Sequence, residues 1–227
     1  MLKLKDGDND MSSITTLAGM VTVDSMNLST ATEDYLKRML DIVCSFFLLA
    51  LLFPLFLIIA VLVKVDSKGP VFFLQKRCGR YGKVFNMYKF RTMVKEAESL
   101  KKRLKNEMDG PMFKMRNDPR ITEIGRFLRK YSLDELPQLI NVLKGQMSLV
   151  GPRPLAYEEM TGDDNWRRIR LSVKPGMTGL WQIMGRESGK FSDWVNYDTT
   201  YVQKRSLFLD LKILFLTLFT VFSKVGT

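Results

Sequence analysis

The longest hydrophobic segment of the chain extends from Ile42 to Val63, and Ser45 is its only clearly polar side chain. A segment of this length can cross the hydrocarbon core of a bilayer as a helix. Pro54 lies near its middle, where a proline removes a backbone donor and kinks a helix. The pattern predicts a membrane helix, and two topologies remain open: an ordinary single span and a re-entrant helix–break–helix.

The charges beside this segment favour the re-entrant topology. Basic residues lie on both sides of it: Lys37 and Arg38 before, and Lys64, Lys68, Lys76, Arg77, Arg80 and Lys83 after. Positively charged flanks tend to remain in the cytoplasm. A helix that enters and leaves by the same face satisfies this rule at both ends, whereas a single span satisfies it at one end only.

Short apolar runs after the membrane segment predict a β-hairpin with strands at Val71–Gln75 and Val84–Phe90. Lys89 and Arg91 are two residues apart, so they would share one face of the second strand. Together they would offer two positive charges to an anion. The alternative is a solvated sheet edge, which basic side chains commonly protect.

Amphipathic segments predict further helices. Lys95–Met108 has a thin apolar stripe and many lysines, which fits either a helix on the lipid surface or a plain solvated helix. Leu207–Phe222 is strongly apolar but interrupted by Asp210 and Lys212, so an interfacial or core helix fits better than a span. Residues 1–34 are polar and predict a flexible extension.

The composition indicates what kind of partner the chain binds and which residue types could carry out catalysis. The chain has 35 Lys and Arg residues against 24 Asp and Glu residues, a formal net charge of +11. This excess implies an anionic partner: nucleic acid, anionic lipid head groups or a phosphorylated substrate. The chain has no histidine, which excludes Ser–His and Cys–His nucleophile pairs and most catalytic zinc sites. Nucleophilic or acid–base work must therefore come from Asp, Glu, Lys, Tyr or Cys.

Two adjacent carboxylates, Asp134 and Glu135, lie between Arg129 and Arg153 in the sequence. Ser132 and Glu135 have the spacing of a capping box, which would be a purely structural role for Glu135. Asp134 would then lie in the first helical turn, where the helix dipole holds the pKa of a carboxyl down. An ionised Asp beside arginines can bind Mg²⁺, act as a base or attack phosphorus. The alternative is a surface ion-pair cluster of little energetic effect.

A series of motifs in a fixed order makes the chain recognisable. They are Lys37-Arg38-x-x-Asp41, Tyr88–Met93, Ser132–Gln138, Asn141–Gly145, Met147–Pro154, Lys174–Gly179 and Leu209–Leu214. With these motifs the chain resembles the bacterial sugar transferases, also called monotopic phosphoglycosyl transferases, over about residues 35–227. Each motif alone is weak evidence, but the run from 132 to 154 is highly specific.

The resemblance implies an activity and roles for the charged residues. The activity is transfer of a sugar-1-phosphate from a UDP-sugar to undecaprenyl phosphate, with release of UMP, at the start of capsule, exopolysaccharide or glycoconjugate assembly. The resemblance implies that Asp134 is the nucleophile, forming a covalent aspartyl phosphosugar intermediate, and that Glu135 assists. Mg²⁺ is expected at both carboxylates. The residues expected to bind the substrate are Lys89, Arg91, Arg129, Arg153 and, in the glycine-rich loop 174–186, Arg186.

We therefore expect a membrane-associated α+β fold in three parts. A flexible extension covers 1–34, a re-entrant helix broken at Pro54 covers 35–68, and a cytoplasmic catalytic domain covers 69–227. In the last part, interfacial helices and a small β-hairpin surround a helical core at the bacterial inner membrane. Larger members of the family carry a further N-terminal membrane domain, so the chain looks like a small-type enzyme or the catalytic half of a larger one.

The expected partners follow from the same resemblance. UDP-sugar and undecaprenyl phosphate are both anionic, so they explain the basic excess without nucleic acid, and membrane lipids surround the apolar helix. The sequence does not decide between a monomer and a homodimer. The competing hypothesis is a non-enzymatic, membrane-anchored basic module that binds anionic lipid or nucleic acid, for which Asp134 and Glu135 would be dispensable.

Overall fold

The computed structural model describes residues 28–101, 104, 115, 117–157, 165–185 and 190–223. The helices are α1 Leu28–Asp66, α2 Ala97–Lys101, α3 Glu123–Lys130, α4 Gln138–Leu143, α5 Asn165–Leu171, α6 Phe191–Lys204 and α7 Leu207–Ser223. The strands are β1 Phe72–Cys78, β2 Val84–Phe90, β3 Ser148–Val150, β4 Leu155–Ala156 and β5 Gly176–Thr178. The predicted mixture of helix and sheet, with one long apolar helix near the N-terminus, is confirmed.

Helix α1 differs from its prediction at two points. It is a continuous helix of 39 residues that passes through Pro54, so the expected interruption there is absent from the helix assignment. Proline removes a single N–H donor from the helical ladder, and the apolar residues on either side continue the helix. The helix also begins at Leu28, inside the predicted extension, whose residues 1–27 lie outside the described part.

One face of α1 packs against the rest of the protein. Asp41, Ser45, Ile59 and Val63 are buried, and a helical period of 3.6 residues places all four on the same side. Only 11 % of the most apolar 18-residue window is buried. A core helix of a soluble protein would bury most of this surface, so the exposed apolar face is compatible with contact with a membrane.

The predicted hairpin is present and carries Lys89 towards the centre of the molecule. β1 and β2 pair antiparallel, with Phe72 opposite Phe90 and Cys78 opposite Val84. The short strand β4 pairs with the other edge of β1. A second, parallel pair joins β3 to β5. These two pairings place the segment between β3 and β4, which contains Arg153, beside the hairpin.

The hydrophobic core joins β2 to α4, β3, α6 and α7. Its buried members are Phe85, Met87, Leu139, Val142, Met147, Leu149, Val150, Tyr201 and Ile213. A smaller cluster packs Ile59 and Val63 of α1 against Phe90 and Leu128. Because β2 contributes to both clusters, the hairpin, the helices and α1 are held together around the strand that carries Lys89.

The remaining predicted helices are confirmed in part. In the segment Lys95–Met108 the described helix is α2, and residues 102–103 and 105–108 lie outside the description. Helix α7 covers the predicted Leu207–Phe222 and exposes Phe208, Phe215 and other apolar side chains, as an interfacial helix would. Asp210, which interrupts the apolar pattern, is buried and paired with Lys37 of α1 at 2.5 Å.

Candidate active site

Asp134 and Glu135 lie in a single 3₁₀ turn, Leu133–Glu135, between α3 and α4. The residue before it, Ser132, has φ 55° and ψ 22°, in the left-handed region, and its side chain makes no capping hydrogen bond. Its N–H donates to the carbonyl of Arg129 instead. The predicted capping box is therefore wrong: Ser132 precedes the 3₁₀ turn and its carbonyl accepts from the Glu135 N–H, but its side chain caps nothing.

The Asp134 side chain is buried, with 7 % of its surface exposed. Within the described part of the chain, its carboxylate makes no hydrogen bond or ion pair, and the positive charges of Lys89, Arg129 and Arg153 surround it at longer range. Burial raises the pKa of Asp134; Lys89 and the arginines oppose this rise, and the negative charge of Glu135 adds to it. The expectation that a helix dipole holds this pKa down is wrong, because desolvation is the larger effect.

Glu135 connects two of the basic residues. Its Oε1 atom lies 2.8 Å from Nζ of Lys89 and 3.5 Å from Nη1 of Arg153. Burial lowers the pKa of Lys89, and the charge of Glu135 opposes that effect. Glu135 therefore helps to keep a buried ammonium charged next to Asp134 and holds it in a defined position.

Arg129 approaches from the last turn of α3. Its Nε atom donates to Oγ1 of Thr92 at 2.9 Å, which leaves the guanidinium beside the carboxylates. Lys89, Arg129 and Arg153 thus converge on the dyad from β2, α3 and the β3–β4 segment. Two carboxylates and three cations leave the site with a net positive charge, which suits a substrate with several phosphate oxygens.

One of the expected substrate-binding residues, Arg91, is not part of this cluster. Arg91 donates from Nη2 to the carbonyls of Val63, at 3.1 Å, and Ser67, at 2.6 Å, so it caps the C-terminal end of α1. It follows the end of β2 and does not share a face with Lys89, contrary to the strand pattern. Arg186 lies outside the described residues.

A pocket of about 200 Å³, open to solvent, adjoins the dyad. Its lining residues come from both sheets and from α4: Arg77, Met87, Lys89, Glu135, Gln138, Arg153, Pro154, Gly176 and Met177. Lys89, Glu135 and Arg153 share its wall, so a phosphate group bound in this pocket could contact both cations beside the dyad.

Some residues that build this site were not predicted from the sequence. Arg77 was assigned only to a basic flank, Gln138 and Thr92 only to motifs, and Lys37 and Asp41 to the approach to the membrane. Asp41 accepts hydrogen bonds from Ser148 Oγ at 3.0 Å and from the Leu149 N–H at 2.9 Å. Such contacts join residues more than a hundred positions apart, so only their presence in family motifs signalled a role.

Asp134 and Glu135 are the carboxylates that could bind a divalent cation at this site. In the described ranges, no group of three or more His, Cys, Asp or Glu residues could hold a metal ion by itself. Mg²⁺ is commonly held by one or two carboxylates together with substrate phosphates and water. Asp134 and Glu135 fit that pattern as two carboxylate ligands. Lys89, Arg129 and Arg153 would repel Mg²⁺, so the ion would bind together with the negatively charged phosphates of the substrate.

Comparisons with known proteins agree with this geometry. A model of the bacterial sugar transferase family matches residues 32–224. The undecaprenyl-phosphate galactose phosphotransferase of Salmonella typhimurium is 44 % identical over 225 residues, covering 96 % of this chain and 47 % of that protein. For the UDP-glucose:undecaprenyl-phosphate glucose-1-phosphate transferase of Klebsiella pneumoniae the identity is 44 % over 194 residues, 82 % of this chain and 40 % of that protein.

A shorter relative covers most of its own length. The exopolysaccharide production protein ExoY of Rhizobium meliloti is 44 % identical over 188 residues, which are 80 % of this chain and 83 % of that protein. The chain thus spans less than half the length of the first two relatives and most of the third. Because the family model matches residues 32–224 and a relative 44 % identical to this chain is covered over 83 % of its length, the chain belongs to the bacterial sugar transferase family.

Proposed function

We propose that this protein transfers a sugar-1-phosphate from a UDP-sugar to undecaprenyl phosphate and releases UMP. The observation that carries the proposal is a buried carboxylate, Asp134, surrounded by Lys89, Arg129 and Arg153 and free of any direct partner in the described residues. The names of the relatives supply the donor and acceptor classes. Membership in a transferase family favours an enzyme over the basic binding module that charge alone left open.

In the first step, an oxygen of Asp134 attacks the sugar-linked phosphorus of the donor. The bond between this phosphorus and the bridging oxygen breaks, and UMP leaves with that oxygen. The sugar-phosphate remains on Asp134 as an acyl phosphate. Burial strips water from the carboxylate, and the raised pKa leaves it more nucleophilic than a solvated Asp, while Lys89, Arg129 and Arg153 neutralise the developing charge on phosphate oxygens.

In the second step, a phosphate oxygen of undecaprenyl phosphate attacks the same phosphorus. The bond to Asp134 breaks, which regenerates the carboxylate and yields an undecaprenyl diphosphate sugar. A covalent intermediate allows UMP to depart before the lipid arrives, so the two substrates need not occupy the site together. When bound at Asp134 and Glu135, Mg²⁺ would supply additional positive charge for the phosphates.

The contacts of α1 support a position on one face of the inner membrane. Near its N-terminal end, Asp41 binds the start of β3, and near its C-terminal end, the carbonyls of Val63 and Ser67 bind Arg91. Both ends are therefore attached to the same body. A helix whose two ends stay with one domain fits re-entrant insertion from the cytoplasmic face better than a crossing that separates its ends.

The experiment that tests the proposal uses the full chain in membranes. Wild-type protein with UDP-galactose or UDP-glucose and undecaprenyl phosphate should release UMP, and Asp134→Asn should reduce the rate at least about 10³-fold, as loss of a covalent nucleophile does. With labelled UDP-sugar and no acceptor, wild-type protein should retain the sugar label covalently, and Asp134→Asn should retain none.

Glu135→Gln is the matched control for loss of one negative charge at the same turn. We expect it to slow UMP release but to keep the covalent label, because Asp134 remains. Substantial turnover by Asp134→Asn would refute the role of Asp134, and a wild-type protein that releases no UMP from any UDP-sugar with this acceptor would refute the proposed function.

A further inference from the structure

The segment 151–154, which contains Arg153, is bound to the protein through every one of its residues. Three of these hydrogen bonds reach β5 and β1: Gly151 N to Thr178 O at 2.9 Å, Gly176 N to Pro152 O at 2.8 Å and Arg77 Nη1 to Pro154 O at 2.9 Å. The fourth comes from α5, where Arg170 Nη2 donates to the carbonyl of Arg153 at 2.5 Å. The carbonyl of the residue that faces Glu135 is thus held by a buried charged side chain.

Arg170 is itself held by Asp198 of α6. Its Nη2 atom lies 3.0 Å from Oδ2 of Asp198, and only 4 % of Arg170 and 1 % of Asp198 are exposed. The guanidinium carbon lies 4.1 Å from the ring centroid of Trp194 and 5.7 Å from that of Trp166. Aromatic faces and a carboxylate together define the plane and direction of the guanidinium.

The energetics argue that this pair does more than stabilise the fold. Burial raises the pKa of Asp198 to about 6, and the positive charge of Arg170 only partly offsets that effect. The ionised carboxylate therefore lowers the stability of the folded state at neutral pH. The pair holds the Arg170 guanidinium as a hydrogen-bond donor to the Arg153 carbonyl. Pro152 and Pro154, on either side of Arg153, stiffen the same segment.

We propose that Asp198 and Arg170 are positioning residues for the transfer reaction: Asp198 orients Arg170, Arg170 holds the Arg153 carbonyl, and the Arg153 guanidinium is thereby placed to bind the donor phosphate. The proposal rests on the proposed function, since it assigns Arg153 to that phosphate. Neither positioning residue touches the substrate, and neither lines the pocket beside the dyad.

A double-mutant cycle on UMP release tests this chain of contacts. We expect Arg153→Ala to lower kcat/KM about 10²-fold and Asp198→Asn about 10-fold in the wild-type background. In the Arg153→Ala background, Asp198→Asn should cause almost no further loss, because the residue through which it acts is gone. Asp118→Asn, which breaks the buried pair with Arg120, is the control, and its effect should add to that of Arg153→Ala.

Hydrogen exchange supplies a readout that does not depend on activity. Asp198→Asn should speed exchange at the amides of Gly151 and Arg153, the two residues of the segment that carry an N–H, and Asp118→Asn should not. If Asp198→Asn does not fold, Arg170→Lys is used, which keeps the charge but replaces the planar donor with a single point.

The outcomes separate the two proposals. Equal losses from Asp198→Asn in both backgrounds, or unchanged exchange at Gly151 and Arg153, would overturn the positioning role. A wild-type protein without UMP release would refute the proposed function instead, and the exchange result would still decide whether Asp198 controls the segment. Coupled losses together with faster exchange would support the positioning role.

Discussion

Asp134 and Asp198 are both buried carboxylates with a raised pKa, yet they have opposite surroundings. Asp134 has three cations nearby and, among the described residues, no direct partner. Asp198 lies 3.0 Å from one guanidinium, that of Arg170, which in turn lies over the ring of Trp194. In both cases, burial is the main cause of the raised pKa.

Given the proposed function, we infer from this difference that reactivity belongs to Asp134 and orientation to Asp198. A carboxylate without a hydrogen-bond partner keeps its lone pairs available for attack on phosphorus, and distributed cations stabilise the charge that forms on the substrate. Asp198 forms a buried ion pair with one guanidinium, so its charge fixes the position of the Arg that holds the Arg153 carbonyl. The comparison therefore predicts that charge around Asp134 governs rate, whereas Asp198 governs placement.

Among further variants, we expect the largest loss of activity when Lys89 is replaced, because its charge acts on Asp134 more strongly than that of Arg129 or Arg153. Lys89→Met should lower kcat/KM about 10²- to 10³-fold, because a buried ammonium beside the phosphate site is lost. Since Lys89 lowers the pKa of Asp134, its removal should also move the acid limb of the pH–rate profile to higher pH. Measuring kcat/KM for UMP release against pH checks both effects.

Lys144→Met is the control for that experiment. Lys144 donates to the hydroxyl of Tyr88, one residue before Lys89 in β2, and it does not line the pocket beside the dyad. We expect this variant to retain nearly wild-type activity and an unchanged acid limb. If the acid limb of the Lys89→Met profile lies at the same pH as in wild type, the comparison fails, because the pKa of Asp134 would then not depend on the charge of Lys89.

The next prediction concerns Asp198 and the dependence of the free energy of unfolding on pH. Because its pKa in the folded state is about 6 against an ordinary value of 3.8, the folded state holds this proton more tightly than the unfolded chain. Ionisation of Asp198 therefore reduces stability as pH rises from about 4 to above 6, by about 3 kcal/mol in total. Below the pKa that Asp198 has in the unfolded chain, the residue is protonated in both states and does not destabilise the fold.

The stability of Asp198→Asn relative to wild type should therefore increase as pH rises through that window, in addition to a pH-independent loss from removing the negative charge beside Arg170. Thermal unfolding of both proteins in detergent at a series of pH values measures the difference, with Asp118→Asn as control, since hydrogen bonding to Arg120 lowers the pKa of Asp118 and gives the opposite sign. A pH-independent difference between Asp198→Asn and wild type would show that Asp198 keeps an ordinary pKa.

The smallest effect is expected at the turn that presents Asp134. Ser132 has a left-handed backbone, so Ser132→Gly should change stability by less than about 1 kcal/mol in the favourable direction. Ser132→Val should destabilise the protein by at least about 1 kcal/mol, because a branched side chain is strained in that region. Unfolding temperatures measure both changes, and equal stability of the two variants would contradict this account of the turn.

Part of the fold follows from patterns between residues close in sequence. The apolar run predicted α1, alternation predicted the hairpin and the stripe in 207–222 predicted α7, since period and length are local properties. The helix continues through Pro54, because one lost hydrogen bond does not end a long apolar helix, and the re-entrant break at that residue stays a prediction. The capping box at Ser132 was wrong because the residue adopts a left-handed backbone conformation, in which its side chain makes no capping hydrogen bond.

By itself, the sequence determined that Asp134 and Glu135 are adjacent, that no histidine competes with them, and that the ordered motifs belong to one family. Only the tertiary structure decided which cations meet the dyad: Lys89 joins it across 46 positions, whereas Arg91 caps α1. It also decided the direction of the pKa of Asp134 and the contact of Asp198 with the Arg153 segment through Arg170. Burial and charge neighbourhood arise from contacts between distant parts of the chain, so no local pattern encodes them.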